Sequence, residues 1–401
     1  MHSAKPRFSD LSAKSKFLAA LLAVFFTTAL SSARPPEMYL PEDVVLPLPR
    51  EPESVNLAHA VDHQGDPVYL YQTRNGATKN REFFLYSRGE WRLLTSGTGF
   101  TNFNTPVETR VVVRPGGTIV SLFGMKGTIS GVYSMTYDGV SNGPLTEVSQ
   151  TGSTGDIDAC LLPDGNIGIA TIAPGLKKIE VVIWDGSHAV DRFFSPEIPE
   201  GILGRVAIAE KQTGSIALST WQTSETGTVR TFNLLYLEGA APFPGPPAWS
   251  TVYTNAHSTS EIHYTPALDL AVHSSDQPFL VHYNAADANL IASRRNILGW
   301  QHNVLDASAP RQFSLFAFVD DQGDPAACWH RTVGKPYCSA FTGFQWSNPE
   351  LVVNIAGLYD AAVRGWLGIP SHRQRHRRSD PQIRRATRCD RPRRGWRHLC
   401  S

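Results

Sequence analysis

The stretch IDACLLPDGNIGIATIAPGLKKIEVVIWDG, residues 157–186, carries the pattern that decides the fold. A short apolar strand leads into a turn at Gly165-Asn166, and a second apolar strand follows at once. A third strand, Ile179–Trp184, ends at the turn Asp185-Gly186. Apolar runs of about four to eight residues, bounded by Gly, Pro and Asp, are typical of antiparallel hairpins. The stretch therefore predicts a small sheet in which consecutive strands pair.

The same arrangement recurs along the chain about every 50 residues. A fourth strand follows in each unit and often opens at a Trp, as at Trp91, Trp249, Trp300 and Trp346. The turns between the first two strands of the units are Gly65-Asp66-Pro67, Gly117-Thr118-Ile119, Gly165-Asn166-Ile167, Gly214-Ser215-Ile216, Asp276-Gln277-Pro278 and Gly323-Asp324-Pro325. One step is longer, and a Pro/Gly-rich insertion at 240–247 accounts for it. Four strands at this period predict an all-β protein, a β-propeller of six four-stranded blades.

The end of the propeller is open to two interpretations. Leu358–Pro370 aligns with Phe313–Pro325 and indicates the opening of an incomplete seventh blade, so the ring closes at six blades or needs seven. Residues 371–401 form an Arg-rich tail that we expect to be disordered. The tail is either a basic segment that binds an acidic polymer or the product of a frame change or truncation, and the broken repeat favours the second.

The N-terminus predicts export. Residues 1–33 read as a signal peptide, with basic residues at Lys5, Arg7, Lys14 and Lys16, an apolar run from Phe17 to Leu30, and the small residues Ser31-Ser32-Ala33. The alternative is an uncleaved anchor, for which the run is short. Residues 34–54 form a Pro-rich linker, and residues 55–370 form the propeller. We therefore expect a secreted or periplasmic protein with no membrane attachment after cleavage.

Charge and cysteine patterns exclude several classes of function. Residues 34–363 hold 21 Lys or Arg and 33 Asp or Glu, a net charge of −12 that argues against nucleic-acid binding by the body. No spacing of Cys or His resembles a metal or redox site, and we expect no metal and no cofactor. Cys328 and Cys338 flank a hairpin turn centred at Val333, which would place them opposite each other as a candidate disulfide.

The repeat places a candidate ligand surface at one mouth of the central channel. The first strand of a blade is innermost, so its start and the end of the second strand lie on the same face. Charged residues at the starts of first strands include Glu108, Arg110, Asp156, Asp158, Arg205 and Asp269. Aromatic residues and histidines at the ends of second strands include Tyr71, Trp221, His282, Trp329 and His330. Rings to stack on and polar groups to orient a ligand suit a carbohydrate or a peptide.

Each candidate also has a structural interpretation. The aromatic residues are expected mainly to fill the core between blades, because each blade buries both faces. Arg110 and Asp158, from neighbouring blades, are expected to pair with each other.

The apolar inner strand, the Gly-Asp/Asn-Pro turn, the aromatic third strand and the Gly-x-Trp turn resemble those of secreted bacterial sialidase-like β-propellers. The resemblance covers about residues 55–370 and implies the fold and export. The Asp-box of that family, Ser-x-Asp-x-Gly-x-x-Trp, does not occur, and a single Arg, Arg110, stands clearly at a first-strand start. The resemblance therefore implies no catalytic residues.

Three hypotheses for function follow. The first is a binding or scaffolding module for a glycan, peptide or partner protein at the channel mouth. The second is a polysaccharide hydrolase or lyase that uses a carboxylate pair, Glu108 with Asp156 or Asp158 with Asp269. The third is a damaged copy that lacks its last blade and has lost its function.

Overall fold

The computed structural model describes residues 56–62, 64, 66–74, 81–96, 108–125, 130–149, 156–239, 249–258, 266–273, 275–284, 289–307, 315–319, 324–332, 335–343 and 345–351. The segments predicted as signal peptide, linker, seventh-blade opening and Arg-rich tail lie outside these residues.

The described residues form six four-stranded antiparallel sheets, each built from four consecutive strands, and the protein is a β-propeller with six blades. The first and second blades contain β1 (Asn56–Val61), β2 (Pro67–Arg74), β3 (Arg81–Ser87), β4 (Glu90–Ser96), β5 (Glu108–Val113), β6 (Ile119–Met125), β7 (Gly131–Tyr137) and β8 (Thr146–Ser149). The third and fourth blades contain β9 (Ile157–Leu161), β10 (Ile167–Ile172), β11 (Ile179–Trp184), β12 (Ala189–Phe194), β13 (Ile202–Glu210), β14 (Ile216–Thr226), β15 (Val229–Gly239) and β16 (Ser250–Ser258). The fifth and sixth blades contain β17 (Leu268–Val272), β18 (Pro278–Asn284), β19 (Asn289–Asn296), β20 (Gly299–Asp306), β21 (Leu315–Val319), β22 (Pro325–Thr332), β23 (Lys335–Ala340) and β24 (Glu350–Leu351).

The first strand of each blade is the inner strand. Inner strands of consecutive blades contact one another, from β1 with β5 through to β17 with β21. The long fourth repeat has two causes. The predicted insertion lies between β15 and β16, outside the described residues, and β14 and β15 are each extended to 11 residues.

The turns between first and second strands of the second to fifth blades share one geometry. In the third blade the Leu162 N–H donates to the Asn166 carbonyl, the Gly165 N–H donates to the Leu162 carbonyl, and Gly165 has a φ of 84°. The fifth blade makes the same pair of bonds, with Asp276 at a φ of 61° where the second, third and fourth blades have Gly. Asp is one of the few residues that tolerate this region. The Asp276 carboxylate also accepts the Gln212 N–H of the fourth blade's turn at 2.6 Å, which fixes it in place.

The core is divided among the spaces between blades. A separate buried apolar cluster lies between the first and second blades, and others lie at each of the four following interfaces. Phe83 meets Phe123 edge-on across the first of these interfaces, with ring centroids 4.8 Å apart. Because both faces of the third blade are covered by its neighbours, β10 and β11 are buried at every residue.

The sixth blade is cross-linked. Cys328 in β22 stands directly opposite Cys338 in β23, and a disulfide joins them. The pairing of β22 with β23 shifts register between His330 and Thr332, and beyond this shift the two cysteines face each other.

Candidate functional site

Three charged side chains meet at the channel mouth. Glu108 begins β5, Asp156 precedes β9, and Arg205 lies in β13. The Arg205 Nη1 forms an ion pair with the Glu108 carboxylate and lies 3.5 Å from Asp156 Oδ1. Since these residues come from the second, third and fourth blades, Arg205 reaches across the third blade. This upper charge layer joins three blades through one guanidinium group.

Arg205 is held in a conformation that few residues adopt. Its φ is 59°, and the pairing of β13 with β14 shifts register between Gly204 and Val206. The Thr220 hydroxyl donates to the Arg205 carbonyl at 2.6 Å and secures this bulge. Bulges re-aim a side chain, and strain of this kind persists only where the surroundings fix it. The bulge thus directs an arginine into the channel mouth.

A lower charge layer lies below the first. The Arg110 Nε donates to Asp158 Oδ1 at 2.7 Å, as predicted for neighbouring blades. Burial disfavours the charged form of Arg110, but Asp158, Glu108 and, more weakly, Asp269 outweigh it and raise the pKa of the guanidinium. Glu108, with a smaller contribution from Asp156, raises the pKa of Arg205 against the effects of burial and of Arg110. Both arginines are therefore firmly charged.

The side chains of both arginines are partly exposed. The side chain of Arg110 is 37% exposed and that of Arg205 is 42% exposed. Their carboxylate partners are more enclosed, since Asp158 is buried and Glu108 is partly buried. The channel mouth thus offers fixed cationic donors to anything that enters. We call Glu108, Arg110, Asp156, Asp158 and Arg205 the channel-mouth surface.

Three of the predicted site carboxylates also tie blades together. Glu108 Oε2 accepts the Ile157 N–H at 3.1 Å, Asp158 Oδ2 accepts the Ile208 N–H at 2.9 Å, and Asp269 Oδ2 accepts the Ala317 N–H at 2.8 Å. Each bond runs from one inner strand to the next and spans one repeat. An inner strand is a sheet edge with unpaired N–H groups, and each carboxylate satisfies one of them. We call these three contacts the carboxylate links.

The aromatic part of the predicted site lies elsewhere. Trp221, His282 and Trp329 are fully buried, so none presents a ring face to the channel for stacking. Trp221 and His282 meet edge-on across the fourth and fifth blades at 5.5 Å, and Trp329 donates to Asp306 at 2.8 Å. Burial, with a contribution from His302, lowers the pKa of His282 to about 3. These three residues belong to the core, because second strands bury both of their faces.

Two further candidates are placed by the backbone alone. Tyr71 pairs with Leu57 and Phe84 in the first blade, and His330 pairs with Pro336 in the sixth. Their side chains lie outside the described residues.

Sequence reasoning placed Asp156 and Arg205 among the charged residues at first-strand starts, and the structure joins both with Glu108 in one charge layer. Their shared position relative to the turn was the available signal, whereas the bulge that directs Arg205 cannot be read from the spacing of residues.

The sequence analysis also missed a depression of about 380 Å³ at the outer rim of the third blade, lined by Gly175, Lys177, Lys178, Phe194 and Glu197. The dipeptide Pro174-Gly175 before two lysines was its only signal.

The described part of the chain contains neither a metal-binding group of side chains nor a membrane-spanning helix. No group of His, Cys, Asp and Glu residues there has a geometry that could hold a metal ion. No helix there is long and apolar enough to cross a membrane.

The chain is similar to known proteins in structure and not in sequence. No family model matches the chain, and no curated protein matches it in sequence. Among solved structures, an α-L-arabinanase from Penicillium chrysogenum, complexed with arabinobiose, is similar over 69% of this chain and 88% of its own, with 10% identity and a TM-score of 0.48. An α-L-arabinofuranosidase from Fusarium graminearum matches over 73% and 89%, with 7% identity and a TM-score of 0.47. The six-bladed lectin of Aleuria aurantia matches over 65% and 80%, with 12% identity and a TM-score of 0.38. At these identities and TM-scores the likenesses carry no conclusion about this chain beyond the fold that its own strands show.

Proposed function

We propose that this chain is an exported binding protein that recognises a glycan through the channel-mouth surface. The observation that carries the proposal is the pair of partly exposed arginine side chains, Arg110 and Arg205, fixed among carboxylates on the inner strands. Fixed donors beside acceptors suit a polyhydroxylated ligand, whose hydroxyl groups both donate and accept.

Because the aromatic candidates are buried, the proposed recognition does not rely on stacking a sugar on Trp221 or Trp329. With Trp221 and Trp329 in the core, the described part of the surface is polar, and its selectivity would come from hydrogen bonds. The strained backbone of Arg205 supports this further, because outliers of this kind cluster at ligand sites. A peptide or protein partner is the alternative occupant, and the experiment below separates the two.

The test is a glycan array and a peptide array probed with the full chain, followed by calorimetry on any glycan that binds. Arg205→Ala should weaken glycan binding about tenfold, the effect of losing one or two charge-assisted hydrogen bonds. Arg295→Ala is the matched control, because Arg295 is 45% exposed and ion-paired to Glu238 near the opposite face. Peptide binding without glycan binding, or equal affinities for the two variants, would overturn the proposal.

A second candidate, polysaccharide cleavage, has one observation in its favour. Glu108 and Asp156 contact the same guanidinium nitrogen, so two carboxylates lie close together at the mouth. Pairs at short range act as acid and base, or as acid and nucleophile, in glycoside hydrolysis. Release of reducing ends or of unsaturated sugars, abolished by Asp156→Asn, would establish cleavage. Binding without release would leave the binding function alone.

Export is part of the proposal and rests on the N-terminal sequence pattern. Expression in a bacterial host with mass analysis of the exported product should show loss of about 33 residues. Retention of the intact N-terminus in the membrane fraction would support the anchor alternative.

A further inference from the structure

The rim of the third blade carries a depression of about 380 Å³ that lies apart from the channel-mouth surface. One wall is the loop between β10 and β11, which includes Gly175 and Lys177. The other is the end of β12 at Phe194 together with Glu197 in the following segment. We call it the rim pocket. Its volume is near the lower end for small-molecule sites and suits a single ring.

The backbone holds the walls of the rim pocket in place. The Leu176 N–H donates to the Ala173 carbonyl at 3.1 Å, closing a tight turn in which Gly175 has a φ of 82°. Leu176 follows at a φ of 59°, in a region that side chains other than Gly, Asn and Asp rarely adopt. A leucine there indicates that its surroundings impose the conformation.

Two backbone hydrogen bonds hold the loop between β10 and β11 in this conformation. The Leu176 carbonyl accepts the Leu203 N–H at 2.6 Å, and the Lys177 carbonyl accepts the Ile198 N–H at 3.0 Å. The loop is therefore bonded both to the segment that follows β12 and to β13 of the fourth blade. A ligand would find the pocket already formed, which lowers the entropic cost of binding.

The side chains offer three kinds of contact. Phe194 is 47% exposed and offers an apolar ring next to the charged residues of the pocket. Lys178 and Glu197 form an ion pair at 3.3 Å. Lys177 lines the same pocket, and no ion pair is found for its ammonium among the described residues. The pocket thus combines an apolar face, a donor–acceptor pair and one free cation.

We infer that the rim pocket binds one carboxylated sugar ring, a uronic acid, of an acidic glycan. The C–H face of the sugar would lie on Phe194, its carboxylate would pair with Lys177, and its hydroxyl groups would meet Lys178 and Glu197. The inference rests on the proposed glycan-binding function and adds a subsite and a charge preference to it.

The experiment uses the full chain, with D-glucuronate and D-galacturonate as probes and D-glucose and D-galactose as neutral controls. Ligand-observed NMR should show binding of the uronates at least about fivefold tighter than that of the neutral sugars, the effect of one partly exposed ion pair. Lys177→Ala should remove this preference, and Lys177→Arg should retain it. Phe194→Ala should weaken all binding at the pocket by about fivefold.

Val304→Ala is the matched control for Phe194→Ala, because Val304 is an exposed apolar residue on the outer strand of another blade. Thermal unfolding of each variant checks that it is folded. Equal binding of uronates and neutral sugars, or wild-type behaviour of both Lys177→Ala and Phe194→Ala, would overturn the inference.

Arg205→Ala separates this inference from the proposed function. If Arg205→Ala keeps the wild-type preference for uronates while Lys177→Ala loses it, the rim pocket stands. The channel-mouth proposal fails if the glycans found on the array also bind Arg205→Ala as they bind the wild type. If glycan binding depends on Arg205 and ignores Lys177 and Phe194, the channel-mouth proposal stands and the rim pocket is refuted. If no glycan or uronate binds, both are refuted.

Discussion

Asp158 of the third blade accepts the Arg110 Nε–H of the second blade at 2.7 Å, and with its other oxygen accepts the Ile208 N–H of the fourth at 2.9 Å. One carboxylate therefore bonds to groups on both neighbouring blades. Asp158→Ala should lower the free energy of unfolding by about 3 kcal/mol, because it leaves a buried N–H without a partner and deprives Arg110 of its closest carboxylate.

Chemical denaturation of the full chain measures this cost. Asp191→Ala is the control, since Asp191 is exposed on the outer strand β12 and should stay within about 0.5 kcal/mol of the wild type. Equal stabilities of the two variants would show that the carboxylate link at Asp158 contributes nothing.

The positive φ of Arg205 predicts an unusual order of stabilities. Arg205→Gly should be more stable than Arg205→Ala by about 1 kcal/mol, because glycine adopts a φ of 59° without steric cost. The same two substitutions at Arg110, which is not among the residues with positive φ, should give the reverse order. Both Arg205 variants should lose glycan affinity equally. A less stable Arg205→Gly would contradict the strained geometry.

Glu210, at the end of β13, predicts a pH dependence of stability. Burial raises its pKa from 4.5 to about 7, and Asp164 and Asp276 in the turns of the third and fifth blades add to the rise. The folded protein thus holds a proton that the unfolded chain releases, so this contribution is complete below pH 4.5 and is lost as pH rises to about 7.

Glu210→Gln removes that titration. The difference in unfolding free energy between wild type and variant should change by about 2 kcal/mol across this pH range, in favour of the variant at high pH. Glu200→Gln, at an exposed glutamate, controls for the loss of one carboxylate. Parallel pH profiles for wild type and Glu210→Gln would refute the prediction.

The disulfide between Cys328 and Cys338 should stabilise the sixth blade. Replacing both residues by alanine should cost about 2–3 kcal/mol, as expected for a bridge that closes a short loop. A reductant should lower the melting temperature of the wild type and leave that of the double variant unchanged. Peptide mapping without reductant that finds the two cysteines unlinked would exclude the bond.

The turns made the fold predictable. Each first turn is a local structure with its own signal in Gly, Asn, Asp and Pro, and even Asp276 falls at the position its alignment with the glycines predicted. The third strand Ile179–Trp184 was predicted to the residue, because an Asp-Gly turn follows it directly.

The candidate site was harder to predict, because burial, strand pairing and contacts between separate segments decide which residues it contains. The sequence placed Trp221 and Trp329 at the ends of second strands, but β14 runs on to Thr226 and β22 to Thr332, so both residues lie inside strands and are buried. Strands covered on both faces lack the alternation that would mark such residues as buried. The Arg205 side chain points into the channel mouth because of a β-bulge. That bulge depends on how β13 pairs with β14 and not on the spacing of residues in the sequence. Phe194 and Lys177 line one pocket because the β10–β11 loop is hydrogen-bonded to the chain that follows β12, and no local sequence pattern records such a contact.

The carboxylate links bear on the order in which the blades fold. Their partners are 49, 50 and 48 residues apart, so each bond can form once the next blade has been synthesised. A nascent chain could then dock each blade on its predecessor as it leaves the ribosome, without waiting for its C-terminus. A duplicated repeat would bring its own link with it, which would let a gene add or lose whole blades while each junction stays intact.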